Sequence, residues 1–154
     1  MRDFNEADRK KKTARIRIQE NPGNLSKAVL SQLEDTVKAS LKDGSLPCPV
    51  AWKIAKEANV PKIAVGEITD RLGIRLTNCQ IGCFKIEKTP HDKSIHQNID
   101  SEIIVMLETL KENNQLTCAK VFDLAQQFKL KPMAIADEAN ARDFKIRACQ
   151  LGCF

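Results

Sequence analysis

Residues 54–74 read IAKEANVPKIAVGEITDRLGI, and the folding of this stretch decides the architecture of the rest. Pro61 is well placed to open a helix, because its ring presets φ and the N–H it lacks has no partner in a first turn. The stretch therefore predicts a helix ending before Asn59 and a second one over 61–72, stopped by Gly73. Asn59 is one of the few non-glycine types that tolerates positive φ. Ala55 offers a small side chain where two helices meet, Val60 sits under the turn, and Val65 and Ile68 fall on the inner side of the second helix. Outward from there, residues 49–58 complete the first of these helices. Upstream, residues 25–42 carry Val29, Leu33, Val37 and Leu41 near helical spacing and end at Asp43-Gly44. Downstream, residues 74–77 alternate apolar and polar, as a half-buried strand does.

Three helices followed by a strand, with a small residue, an Asn at the turn and a Val after it, resemble the helix-turn-helix of winged-helix regulators. The resemblance covers 54–74 with the helix before and the strand after. It implies a mainly α fold with short β-strands, and a short strand near Cys48 that pairs with the one leading to Cys79. It also implies DNA contact through the third helix. The superfamily is broad, so the likeness speaks for a scaffold more than for an activity.

The scaffold occurs twice. Shifted by 70 residues, the second half lies on the first without a gap, placing Leu46 on Leu116, Cys48 on Cys118, Ala55 on Ala125 and Ala64 on Ala134. Apolar character holds between these identities: Trp52 falls on Phe122, Ile54 on Leu124, Val60 on Leu130 and Val65 on Ile135. The alignment closes on CQIGCF at 79–84 and CQLGCF at 149–154. Two copies are too few for a solenoid. The expected organisation is two tandem winged-helix-like domains, 24–88 and 89–154, after a basic arm over 1–23, with the polar stretch 85–97 joining them. The second copy departs from the helix-turn-helix pattern at two places: Lys129 stands at the turn, and Glu138 stands where Ile68 was.

Bulk properties narrow the class. Of 154 residues, 42% are apolar and 29% charged, which is globular rather than disordered. No apolar run approaches the roughly 20 residues of a membrane span, and the basic start has no apolar segment after it, so no secretory signal is read. A soluble, cytoplasmic protein with no membrane partner is expected. Residues 1–23 hold seven Lys/Arg against four Asp/Glu, whereas 89–154 hold eight against nine. The basic arm is Arg9, Lys10, Lys11, Lys12, Arg15 and Arg17, and it suits phosphate contacts; the plainer reading is a solvated terminus. Nothing resembles a Ser/His/Asp set, a Gly-rich phosphate loop or a HExxH motif, so no enzyme is expected.

For double-stranded DNA, the third helix would have to present base-reading side chains in the major groove. Its outward positions read as Pro61, Lys62, Ile63, Gly66, Glu67 and Asp70, and in the second copy as Lys131, Pro132, Met133, Ala136, Asp137 and Asn140. Carboxylates on that face would meet phosphates, which counts against base reading. Backbone contact through the arm with Lys62, Arg71 and Arg75 remains. Two functions follow as expectations: a non-enzymatic DNA-associated regulator, or a protein-interaction scaffold that does not bind nucleic acid, with Ile63 and Met133 as apolar contacts.

The cysteines repeat too: Cys48, Cys79 and Cys83, then Cys118, Cys149 and Cys153. Gly82 offers a bend that would bring Cys79 and Cys83 together. Three converging thiolates suit zinc or an iron–sulfur cluster. Buried cysteine acts equally well as a small apolar residue, which needs no cofactor, and disulfide or redox use is a third reading. His91 and His96 lie in the joining stretch and have no counterpart in the second copy.

Overall fold

The computed structural model describes residues 6–7, 10, 16, 18–83 and 99–154. The described chain is mainly helical. Helix α1 (Lys27–Ala39) is followed by strand β1 (Ser45–Pro47), helix α2 (Cys48–Glu57), helix α3 (Lys62–Arg71) and strand β2 (Arg75–Thr77). Helices α4 (Ser101–Glu112), α5 (Cys118–Gln127) and α6 (Pro132–Ala141) complete the order. Strands β1 and β2 run parallel, with Ser45 opposite Arg75, Leu46 opposite Leu76 and Pro47 opposite Thr77. The second copy keeps the same register as a single parallel bridge, Thr117 to Arg147.

Local chemistry explains the boundaries. Ser26 caps α1 by accepting from the Val29 N–H, Asp100 caps α4 through the Glu102 N–H, and Thr117 caps α5 through the Lys120 N–H. Helix α1 stops earlier than 25–42 predicts, because Lys42 and Ser45 exchange backbone hydrogen bonds of 2.8 and 2.9 Å around Asp43-Gly44. That turn delivers Leu46, fully buried, into the core at the start of β1. Pro61 is the cap of α3 rather than its first residue.

The turns after α2 and α5 are built alike. Val60 N–H donates to Ala55 O at 2.9 Å and Asn59 N–H to Lys56 O at 3.2 Å. Leu130 N–H likewise donates to Ala125 O at 2.9 Å, and Lys129 N–H to Gln126 O at 3.3 Å. Both are Schellman closures, which need a left-handed residue just past the helix. Asn59 takes φ 53° and Lys129 φ 54°, so lysine adopts the conformation for which the sequence offered it no advantage. Lys129 is exposed, and left-handed backbone costs a side-chain-bearing residue on the order of 1 kcal/mol. Lys129→Asn is accordingly expected to raise stability by about 0.5–1 kcal/mol, read as a higher urea midpoint at unchanged slope. Glu138, the other misfit, is only partly exposed and is held by Arg142, whose Nε and Nη2 both lie 2.9 Å from Glu138 Oε1.

The chain divides into two compact units, and the division differs from 24–88 and 89–154 at the tails. One unit runs to Cys79 and takes in Gln150–Phe154; the other is Gln80–Cys149. Each unit thus contains the body of one repeat and the residues that follow the first cysteine of the other repeat's CQxGCF. The first has a core of Leu33, Val37, Leu46, Ile54, Val65 and Ile68, with Leu151 fully buried. The second has Ile103, Leu107, Leu116, Val121, Leu124 and Ile135, with Ile81 buried to 1% exposure. Bodies of this size bury too little apolar surface to be robust alone, which is the physical reason a tail carrying one large aliphatic residue is incorporated. No helix among the described residues is long and apolar enough to cross a membrane.

Candidate functional site

The outer face of α3 is where a helix-turn-helix would do its work, and in the first unit that face is occupied. Leu151 lies directly against Gly66: a methyl group built on Gly66 would land on the Leu151 carbonyl oxygen and 2.7 Å from its carbonyl carbon. Gly66 is therefore buried, not outward as the helical spacing predicts. Its missing Cβ is what admits another backbone so closely. Two turns of chemistry hold the tail there. Lys62 Nζ sits 3.9 Å above the centre of the Trp52 ring and donates to Gln150 Oε1 at 2.9 Å, joining a cation–π contact to a charge-assisted hydrogen bond. Gly152, at φ 71°, lies so close to Ile18 and Ile63 that a Cβ would come 2.5 Å from Ile18 Cδ1 and 3.0 Å from Ile63 Cδ1.

Thr69, one turn beyond Gly66, is fully buried and donates its hydroxyl to the Gly66 carbonyl at 2.8 Å. The polar group is satisfied within the helix, leaving the surface above it apolar. In the second unit the equivalent of Gly66 is Ala136, also fully buried. Trp52 and Lys62 have Phe122 and Pro132 as counterparts, so no lysine stands at the position equivalent to Lys62 in the second unit.

The basic residues singled out for phosphate contact fare differently. Lys62 is engaged with Trp52 and Gln150. Arg71 is drawn to carboxylates, with Nη1 3.2 Å from Glu34 Oε2 and Nε 3.4 Å from Glu67 Oε1. Glu34 also accepts from Lys38 Nζ at 2.8 Å. The Lys38 hydrogen bond, with that of Arg71, holds the Glu34 carboxyl below the usual carboxylate range. A lowered folded-state pKa means the contribution of this group is present at neutral pH and fades as the medium is acidified through that range. Arg75 opens β2 and is half-buried. Lys10 is exposed, 3.5 Å from Glu6, while Arg9, Lys11, Lys12, Arg15 and Arg17 lie outside the described residues.

The structure divides the cysteines between the two units. Cys48 is the first residue of α2 and Cys118 the first of α5; both are 6% exposed, and Cys79 is 4% exposed. Cys149 and Cys153 are half-buried and Cys83 is exposed. Because the tails change places, Cys153 falls in the unit of Cys48 and Cys79, and Cys83 in the unit of Cys118 and Cys149. The triplets Cys48/Cys79/Cys83 and Cys118/Cys149/Cys153 are thereby split. Among the described residues, no three His, Cys, Asp or Glu side chains converge so as to hold a metal ion. No two of the six cysteines are joined in a disulfide. His91 and His96 are outside the described residues.

Compared with known protein families, curated proteins and solved structures, the chain matches none.

Proposed function

We propose that the chain is a non-enzymatic binding protein built from two tandem winged-helix-like repeats, acting through protein contacts rather than by reading DNA with α3. The observation that carries this reading is the seating of Gln150–Leu151–Gly152 on the face of α3 that a major groove would need. Support for the scaffold comes from the left-handed closures at Asn59 and Lys129 and from the parallel pairing of β1 with β2. A helix whose outer side receives a peptide, and whose remaining charges include Glu67 and Asp70, is poorly suited to phosphates and well suited to a polypeptide.

Electrophoretic mobility of random-sequence duplex tests it. No shift is expected at about 50 mM salt, where phosphate contacts are strongest. A second reading rests on the seven Lys/Arg against four Asp/Glu in residues 1–23: a DNA-associated regulator that grips the backbone through Arg9–Arg17. A shift that collapses with rising salt and vanishes on deletion of 1–23 would establish that reading in its place.

A further inference from the structure

We propose that the Gly66 face of the first unit is an interface for the Gln150–Phe154 tail of a second copy of this chain, so that copies can pair by exchanging tails. The inference deepens the protein-contact reading by naming the partner, and it rests on that reading.

The argument begins with who donates. The peptide against Gly66 comes from the other repeat, 88 residues away along the chain at the Lys62–Gln150 hydrogen bond. Three features of the peptide itself take part in its recognition: one buried leucine, one glutamine amide and one left-handed glycine. Leu151 is fully buried, Gln150 is held by Lys62 over Trp52, and Gly152 at φ 71° packs against Ile18 and Ile63. None of these contacts depends on which chain supplies the tail. Exchange of an identical element between copies is a low-cost route to pairing, since the closed contacts are the same in either form.

The second observation is that the surface is selective for this tail. The two tails differ only at Ile81 against Leu151, and the position equivalent to Gly66 in the second repeat is Ala136. The backbone of Leu151 fits only where no Cβ stands, so a donor in trans is expected to use the leucine tail on the glycine face. Within one copy, the tether gives the tail an effective concentration in the millimolar range. Dilute protein is therefore monomeric, and exchange competes only when copies are comparably concentrated or when chains are opened and reclosed together.

Refolding sets that competition directly. Full-length protein is unfolded in urea and refolded at about 1 mM and at about 1 μM, with reductant throughout, then diluted and weighed by native mass spectrometry; the upper concentration is chosen to match the tether. Concentrated refolding is expected to leave at least a tenfold larger fraction at twice the chain mass, dissociating slowly. Equal, monomeric samples overturn the proposal. A second arm mixes full-length Gly66→Leu, which cannot receive, with full-length Leu151→Asp, which cannot donate. The mixture is expected to form a one-to-one pair that neither variant forms alone, and folded but unpaired chains count against exchange. Should either variant lose its helical circular dichroism, the refolding arm decides alone. Mobility shift on DNA reports on the protein-contact reading independently, so loss of one conclusion is told apart from loss of the other.

Discussion

Gly66→Ala is expected to release the Gln150–Phe154 tail from the first unit and to lower that unit's stability by about 3 kcal/mol. One methyl group is responsible. The new Cβ would occupy the space of the Leu151 carbonyl oxygen and approach its carbonyl carbon to 2.7 Å, and the obstacle is backbone, which cannot swing aside as a side-chain tip can. Overpacking of this kind costs roughly 1–3 kcal/mol when neighbours yield. If they do not, the tail leaves, and burial of Leu151 at about 2–3 kcal/mol is forfeited, together with the Lys62–Gln150 hydrogen bond at about 1.5–3 kcal/mol. In a unit of this size the loss should lower the midpoint by on the order of 10–20 °C. Calorimetry with the second unit as internal reference measures it, since Ala136 already carries the equivalent methyl group. An unchanged thermogram would mean that the tail does not rest on Gly66.

Leu151→Ala and Ile81→Ala are expected to act crosswise. Leu151 follows α6 in sequence, yet its truncation should weaken the first unit, because that is where it is fully buried. Ile81 follows β2, and its truncation should weaken the second unit. Removing a buried Leu or Ile side chain costs about 2–5 kcal/mol. Hydrogen exchange locates the loss. With Leu151→Ala, amides of α2 and α3 should lose protection by a factor of 10 or more, at about 1.4 kcal/mol per factor of 10, while α5 and α6 keep theirs. Ile81→Ala should give the mirror pattern. Loss confined to the repeat that contains the substituted residue would show that each tail folds back on its own body.

Most of the helical framework was legible because its signals are local. Asn59, Pro61 and Gly73 punctuate α2 and α3, and the apolar spacing of Leu33 and Val37 marks the buried stripe of α1. Strand β2 lies one residue along from the alternating stretch 74–77; that it pairs with a strand near Cys48 follows from the helix-turn-helix resemblance, while the parallel direction has no signal in Ser45–Pro47. The tails were illegible for a reason of degeneracy. With CQIGCF and CQLGCF nearly the same, no local property says which body each one completes. The same blindness puts Gly66 on an outward face, since helical periodicity sorts positions by angle and cannot report that Leu151 arrives from the other repeat. Spacing within a repeat groups Cys48, Cys79 and Cys83, and it carries no sign that the third cysteine falls in the other unit. Of the two carboxylates at Arg71, Glu67 stands one turn earlier on the same helix and is legible from spacing, whereas Glu34 belongs to α1 and only the packing of α1 against α3 brings it there.

The crossing of the tails also sets a timetable for biogenesis. Chains emerge from the ribosome at roughly 5–20 residues per second, and domains ordinarily close as they appear. The body up to Cys79 is made first, but the leucine that completes its core is residue 151. The first unit must then wait several seconds, with the apolar face around Gly66 and Ile63 open to the solvent. The second unit receives Ile81 before its own helices are translated and suffers no such delay. Contacts of such long sequence separation are slow to form. The nascent N-terminal half, though earlier in synthesis, is thus the later to mature, and it is the part of this protein most in need of a holding chaperone.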